Sequence, residues 1–511
     1  MRRRTKEIIA AIDVGSNSIK MIVVEINKLN DITVLEDLKQ NTDLGRDTFS
    51  FGRISPSTIN ETCETLDGFS KILEEYQVRD YLTFTTSGIR EAENKEYVIE
   101  QIRAKTGFDV TVISNSEEHY YLCKVLRQKY SEQDAITDKK TMFLNVGAGG
   151  VEVTVYNGEE LLLNQYIKIG ALRVREVLSE LEDISLDFSN VMEEFIESKI
   201  YNIKCFLETA NIEKFIGMGR DIIFAGKTLD SLNGFVYKKQ LDNFYKLISE
   251  ISCDTISQEY QIPHDEADLM LPSIIIFRTF MHLIKTDVMY VPVVSLADGM
   301  ILDMIEKKYT LKRKKIISKD ILNSVFYVAK KYQTDLIHAE KVKTFALLLF
   351  DKLAIVHMLG EKERFYIEVA SILHDVGYFI SSNQHDIHSY SIILNEDFIG
   401  FSEQDLILIA NICRYHGDDV PLQSEENYRM LTFKEKIVVS KLSAILKIAE
   451  ALDITHKQKI TKVTISLDKF NVYFKIKMNK EILLEKWAFK KNSIFFEDVV
   501  GLKPILMIKG D

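Results

Sequence analysis

Two features of the hydrophobic pattern organise the first third of the chain. The run Ala11-Ile12-Asp13-Val14-Gly15-Ser16-Asn17-Ser18-Ile19-Lys20-Met21-Ile22-Val23-Val24 reads as an apolar strand, a polar glycine turn and a second apolar strand. About 130 residues later the pattern recurs from Thr141 to Val155, around Asn145-Val146-Gly147-Ala148-Gly149-Gly150. Between them, Tyr81 to Arg90 is a strand entering a turn, and Val110 to Ser114 is another strand. A helix through Leu126 follows, opening on Asn115, Ser116, Glu117 and Glu118. Strands alternating with helical patterns predict an α/β fold. The repeated hairpin predicts a duplicated one, with an anion held between the halves. Gly15 permits a tight turn whose N–H groups face an anion, and Asp13 is placed to hold a cation beside it. Carboxylates in the first helical turn also suit the helix dipole, so Glu117 and Glu118 have a capping role open to them.

Beyond residue 306 the pattern changes twice. A basic stretch (Lys307, Lys308, Lys312, Arg313, Lys314, Lys315) reads as a linker over 307–318, with guidance of a polyanionic phosphate chain as the alternative. Helical periods then run to about residue 458. After Lys457, Val463, Ile465 and Leu467 alternate, as do Val472, Phe474, Ile476 and Met478, which predicts strands. The expected organisation is two α/β lobes over 1–130 and 131–306, a helical domain over 319–458 and a small β-rich α+β domain over 459–511.

Composition narrows the function classes. The 511 residues carry a net charge of −11, which argues against a general nucleic-acid or membrane-surface binder. Five scattered cysteines form no CxxC pair, so a reducing cytoplasm is the expected setting. The basic start, Met1-Arg2-Arg3-Arg4, is followed by an apolar run that Asp13 breaks early, a poor signal peptide. Arg278 and His282 interrupt the apolar stretch near Ile274, so no membrane span is expected.

Seven of the ten histidines lie between His338 and His456. His338 shares a helical face with Val342, Phe345 and Leu349. His374 shares one with Ile367, Ala370 and Ser371, with Asp375 adjacent. His416 lies one turn beyond Leu406, Ile409, Ala410 and Cys413, and Asp453 shares a face with Leu442, Leu446 and Ala449. Imidazoles and carboxylates aimed inward from four helices are costly without partners, and a divalent metal accounts for them.

The motifs together carry two resemblances. Asp13 to Ser18, Thr85 to Ala92, Ile113-Ser114 with Glu117-Glu118, Asn145 to Gly150 and Ile169 to Arg173 occur in the order found in the exopolyphosphatase and guanosine pentaphosphate phosphohydrolase family, over about residues 7–305. The resemblance implies two actin-like (ribonuclease H-like) lobes with the substrate phosphates between them. It implies Asp13 as a Mg²⁺ holder, Arg90 on the terminal phosphate and Glu117, ahead of Glu118, as the base that activates water. Phosphate and Mg²⁺ contacts are implied along Gly15, Ser16, Asn17, Ser18, Ser87, Asn145, Gly147, Ala148, Gly149 and Gly150. The chain departs from the family's Asp-x-Gly-Gly-Gly-Ser-Thr loop: Asn145 stands for the Asp, Ala148 for a Gly, Gly150 for the Ser and Val151 for the Thr. Gly219-Arg220-Asp221 replaces a Gly-Gly-Thr turn, and Asp43 stands where an Arg is usual.

The spacing His338 … His374-Asp375 … Asp453 resembles the HD-domain phosphohydrolases, which implies these four as ligands of Mn²⁺ or Fe²⁺. His388 and His416 fall where two-metal members place further ligands. His385 is the alternative to His388, and His357 and His456 have no assigned role. The leading expectation is a hydrolase of phosphoanhydrides acting on inorganic polyphosphate or guanosine penta/tetraphosphate, with a homodimer expected. The alternatives are an HD-domain metal phosphohydrolase with the lobes as sensor, and a non-catalytic binding regulator.

Overall fold

Strand β1 (Glu7–Val14) is buried along its middle and pairs antiparallel with β2 (Ser18–Lys28), which pairs with β3 (Asp31–Asn41). Strands β4 (Asp80–Thr85) and β5 (Thr111–Val112) then add in parallel, because helical segments return the chain to the same end of the sheet. The sheet order is β3-β2-β1-β4-β5. The second sheet repeats it. A meander of β6 (Lys140–Val146), β7 (Val151–Asn157) and β8 (Glu160–Ile167) is followed by β9 (Lys214–Met218) parallel to β6. After β10 (Phe235–Tyr237), β11 (Val288–Tyr290) pairs parallel with β9, in the order β10-β11-β9-β6-β7-β8. The duplication predicted from the two glycine hairpins is thus a duplication of whole sheets.

These are features of a computed structural model, which describes residues 7–28, 31–130, 139–182, 184–229, 234–309 and 314–508. The basic start, residues 131–138 at the expected boundary between the lobes, and Lys312 and Arg313 of the expected linker lie outside the described residues. The chain divides into two compact units, Met1–Ser318 and Lys319–Asp511.

Two expectations about boundaries change. The helix Leu296–Tyr309, expected in the second lobe, packs against the first. Met300, Ile301, Met304 and Ile305 share a core with Ile9, Ala11, Ile22 and Phe84 of the first sheet and with Tyr121. Close contact with the helix Asn115–Tyr130 needs Gly299, where a Cβ would lie 2.5 Å from the Tyr121 carbonyl oxygen. Lys124 seals the contact by pairing at 2.8 Å with both Asp303 and Glu306. The expected linker also shrinks, since a helix already begins at Lys314.

The second unit is a helical bundle with a three-stranded sheet of β12 (Ile460–Leu467), β13 (Asn471–Met478) and β14 (Lys503–Ile508). The expected small C-terminal domain is α+β, with the helix Leu483–Val500 between β13 and β14. Its Phe474, Phe489 and Phe496 belong to the same core as Val342, Ile367, Ile409 and Leu446, so helices and sheet bury one continuous interior.

Candidate functional site

The two hairpins are built alike. Gly15 N–H donates to the Ser18 carbonyl at 3.0 Å, and Gly147 N–H to the Gly150 carbonyl at 2.9 Å. Cross-strand register sets Asp13 opposite Lys20 and Asn145 opposite Glu152. The duplicated turn therefore keeps one carboxylate in each hairpin but moves it to the opposite strand in the second. Both turns line one cavity of about 510 Å³, with Asp13, Gly15, Ser16, Asn17, Ser18 and Ser87 from the first lobe and Asn145, Gly147, Ala148, Gly149 and Gly150 from the second. Lys20, Glu118, Glu152, Tyr166, Arg220, Asp221 and Asp298 are also among its wall residues.

The glycines of the second turn are fixed by close packing. A Cβ on Gly149 would lie 2.4 Å from Ser87 Oγ, and one on Gly150 2.2 Å from the Tyr166 hydroxyl. Ser87 in turn bonds Ser16 at 2.9 Å. Arg173 ties the turn to the first lobe, donating from Nε to the Gly149 carbonyl and from Nη2 to both Glu91 oxygens at 2.8 Å.

Three polar groups stand out. Among the described residues, Asp13 Oδ1 and Asn17 Nδ2 are buried without a hydrogen-bond partner. Burial pushes the Asp13 carboxyl up to about 7, against the pull of Lys20. The Glu118 carboxyl is also raised by burial, with Arg90 opposing the shift. An orphaned carboxylate oxygen at a phosphate-sized cavity suits Mg²⁺, which takes one or two carboxylates and fills its octahedron with water and phosphate.

Two implied roles are corrected here. Glu117 is a helix cap: its Oε2 accepts from Ser114 N–H at 2.9 Å and Ser114 Oγ at 3.1 Å, while Ser114 Oγ accepts from Glu117 N–H. The carboxylate that lines the cavity is its neighbour Glu118. Arg90 stands behind the wall, bound to Glu118 at 3.0 Å, to the Ile113 carbonyl and to Asn115. It holds Glu118 and Asn115 in place, and its guanidinium is engaged by them. Glu152 was missed. It is buried, lies 2.8 Å from His119 Nδ1, and links the cavity wall to the helix Asn115–Tyr130. Cys123 Sγ lies 3.2 Å from the other ring nitrogen of His119.

The second unit gathers its histidines around Asp375. About Asp375 Oδ2 lie the Nε2 atoms of His374 at 3.4 Å, His338 at 3.6 Å and His456 at 3.9 Å. About Oδ1 lie those of His416 at 3.5 Å and His385 at 3.7 Å. Nε2 atoms face each other at 3.4 Å in His338–His374 and 3.0 Å in His385–His416. Two ligands on a tetrahedral ion at about 2.0–2.1 Å sit about 3.4 Å apart, so this spacing is that of donors around cations. Among the described residues Asp375 Oδ1 has no hydrogen-bond partner, an arrangement that would suit a cation. Burial drives His374 down to about 3, into the neutral form that ligates metal. Burial alone would lower His416 as well, but Glu450 and Asp375 outweigh it and raise it to about 9.

The expected ligand set changes in three places. Asp453 stands behind His338, with Oδ2 3.0 Å from Nδ1, and accepts from Gln458 N–H at 2.7 Å; it orients His338 and leaves Nε2 to the cluster. His385, the first residue of its helix, joins the cluster in place of His388, one turn further on. His456 enters from the loop after the last long helix and stacks on His338 with centroids 3.6 Å apart.

Comparison with known proteins agrees with this architecture. Residues 22–308 match the Ppx/GppA phosphatase family, and residues 322–493 match domain III of Ppx/GppA phosphatases. The chain is 26% identical over 166 residues to exopolyphosphatase 1 of Mycobacterium tuberculosis, covering 32% of this chain and 47% of that protein. It thus spans about half the length of such relatives. It is 21% identical over 429 residues to the guanosine-5'-triphosphate,3'-diphosphate pyrophosphatase of Vibrio parahaemolyticus, covering 82% of each. The crystal structure of an exopolyphosphatase from Cytophaga hutchinsonii aligns with a TM-score of 0.53 at 19% identity, covering 59% of this chain and 98% of that one, and so shares the fold of the two lobes. Among the described residues no helix is long and apolar enough to cross a membrane. With paired glycine hairpins on duplicated sheets and a matched third domain, the chain belongs to the Ppx/GppA phosphatase family.

Proposed function

We propose that the inter-lobe cavity hydrolyses phosphoanhydrides, releasing terminal phosphate from inorganic polyphosphate or guanosine pentaphosphate. The observation that carries this reading is the convergence of two buried carboxylates, Asp13 and Glu118, and two glycine turns on one cavity. Phosphoryl transfer needs positioning and charge neutralisation more than covalent help. Asn17 Nδ2, an orphaned donor, offers a hydrogen bond to a phosphate oxygen, and the turn N–H groups offer more. Glu118 is the base: burial raises its affinity for the water proton, and Arg90 fixes its direction. Asp13 would hold Mg²⁺, which when bound neutralises phosphate charge. The similar proteins named exopolyphosphatase and guanosine pentaphosphate pyrophosphatase support this substrate class. Glu118→Gln tests it: phosphate release from polyphosphate falls at least about 100-fold, while Glu117→Gln, which trims a cap, retains most of it. Wild-type turnover by Glu118→Gln would sink the reading.

The histidine cluster favours a second reading, a divalent transition metal centre of HD-phosphohydrolase type in the second unit. Its support is the set of five imidazoles around one carboxylate. Metal analysis of the purified protein against Asp375→Ala checks it, with equal metal content in both as the contrary result.

A further inference from the structure

The helix Asn115–Tyr130 sets His119 and Cys123 one turn apart on one face, against strand β7 of the second lobe. His119 is 1% exposed. Its Nε2 lies 3.2 Å from Cys123 Sγ and 3.4 Å from Thr154 Oγ1, and its Nδ1 lies 2.8 Å from a carboxylate oxygen of Glu152. The Thr154 hydroxyl donates to Asn164 Oδ1 at 3.1 Å, so toward the imidazole it can only accept. Both ring nitrogens therefore face acceptors, which calls for a proton on each. Burial alone would lower His119, but the Cys123 sulfur and the Glu152 carboxylate outweigh it and raise it well above the usual imidazole range. An imidazolium in contact with a thiol is the setting of reactive cysteines.

The other four cysteines lack this setting. Burial raises the thiols of Cys63, Cys253 and Cys413, that of Cys253 to about 11. Cys205 is exposed. Among the described residues Cys123 alone has a ring nitrogen against its sulfur, and it is partly exposed, within reach of a small solute. The same ring serves the cavity. Glu152 lines the cavity wall and is paired with the other nitrogen of His119, and Glu118 is the residue before His119 in the helix. Chemistry at the thiol on one side of the ring is thus coupled to a cavity carboxylate on the other.

We propose that Cys123 is a peroxide-sensitive modification site that switches the inter-lobe cavity off. The Cys123 thiolate attacks one oxygen of hydrogen peroxide. The S–O bond forms as the O–O bond breaks, sulfur is oxidised by two electrons to the sulfenic acid, and the other oxygen leaves as hydroxide. His119 Nε2 gives that hydroxide its proton, so thiolate, imidazolium and peroxide become sulfenic acid, neutral imidazole and water. Glu152 is left buried against a ring that has lost its charge, which is costly. Sγ and Nε2 are 3.2 Å apart, so an oxygen on the sulfur also pushes the ring out of place. The strand β7 that carries Glu152, next to the turn Gly147–Gly150, loosens in consequence. The loss of hydrolysis rests on the hydrolytic reading of the cavity; the reactivity of the thiol and the loosening of β7 do not.

The experiment uses the full chain, freshly reduced. At a pH near 6.5, where an ordinary thiol is only about 1% ionised, iodoacetamide modifies Cys123 about tenfold or more faster than the exposed Cys205, read by peptide mass spectrometry. His119→Gln removes that lead and leaves the thiol in place. Hydrogen peroxide yields a dimedone-trapped sulfenic acid at Cys123, abolishes phosphate release from polyphosphate and speeds hydrogen exchange in β7; dithiothreitol added instead of dimedone restores both. Cys123→Ser keeps its phosphate release in peroxide, and Cys205→Ser loses it as wild type does. Equal alkylation of Cys123 and Cys205 overturns the proposal, as does an oxidised Cys123 with unaltered exchange in β7 or with phosphate release intact. Absence of phosphate release before any oxidation rejects the hydrolytic reading alone, and alkylation and exchange then decide the fate of the modification site.

Discussion

Asp13 and Asn145 occupy the same position in two hairpins closed by the same backbone hydrogen bond, Gly15 to Ser18 and Gly147 to Gly150. One carries a buried charge and the other does not. Magnesium held by Asp13 alone is held by one carboxylate where a matched pair would provide two. Asn145→Asp is expected to tighten Mg²⁺ about tenfold, read as the Mg²⁺ concentration for half-maximal phosphate release. No change in that concentration would mean that position 145 does not face the cation.

The Asp13 carboxyl gives a pH signature in the metal-free protein. Burial raises it from 3.8 to about 7 in the fold. A raised folded value means that the fold keeps a proton the unfolded chain has lost. Its contribution is fully present below the unfolded pKa and disappears as pH rises through about 7. The stability of wild type relative to Asp13→Asn should fall by roughly 2–3 kcal/mol between pH 5 and pH 8. Urea unfolding of both proteins in chelator measures this. A flat difference would place Asp13 in contact with water.

Gly150 stands where the family has Ser, and packing makes that substitution hard to reverse. A Cβ there would meet the Tyr166 hydroxyl at 2.2 Å. Gly150→Ser alone should cost about 1–3 kcal/mol through overpacking. Gly150→Ser with Tyr166→Ala should recover part of it, as a double-mutant cycle of unfolding free energies would show. Additive effects would mean that the turn moves freely away from the ring.

Lys124 is 3% exposed and serves two carboxylates. Lys124→Met leaves Asp303 and Glu306 without their shared cation. Removing one partner of a buried pair typically costs about 3–5 kcal/mol. The loss should be largest in the helix Leu296–Tyr309, read as faster hydrogen exchange there than elsewhere in the unit. Uniform exchange would locate the effect elsewhere.

How much of this was legible in the sequence varies with the kind of signal. The hairpins were legible because strand alternation and glycine turns are local. The register of the first, Asp13 opposite Lys20, also contained the signal for Glu152, which stands opposite Asn145 in the second. Glu117 and Glu118 are harder. Adjacent helical residues point in different directions, and only the spacing Ser114-x-x-Glu117 marks the cap. His385 and His388 share a helical face, so periodicity cannot choose between them. The choice is made by where the helix starts. His456 lies past the helix end at φ +54°, where no period exists to report its direction. The second carboxylate of the expected ligand set, Asp453, was legible as inward, but whether such a group grips a cation or steadies a neighbour depends on distances of an ångström.

The helix Leu296–Tyr309 also has a consequence for biosynthesis. It completes the interior of the first lobe with residues made about 170 positions after the rest of that lobe. A ribosome that has released the first sheet has not released what covers one of its faces. Ile9, Ala11, Ile22 and Phe84 lack the cover of Met300, Ile301, Met304 and Ile305 until the whole second lobe has been synthesised. The two halves of the cavity therefore mature together, and a fragment ending before residue 296 would expose an apolar sheet face to aggregation.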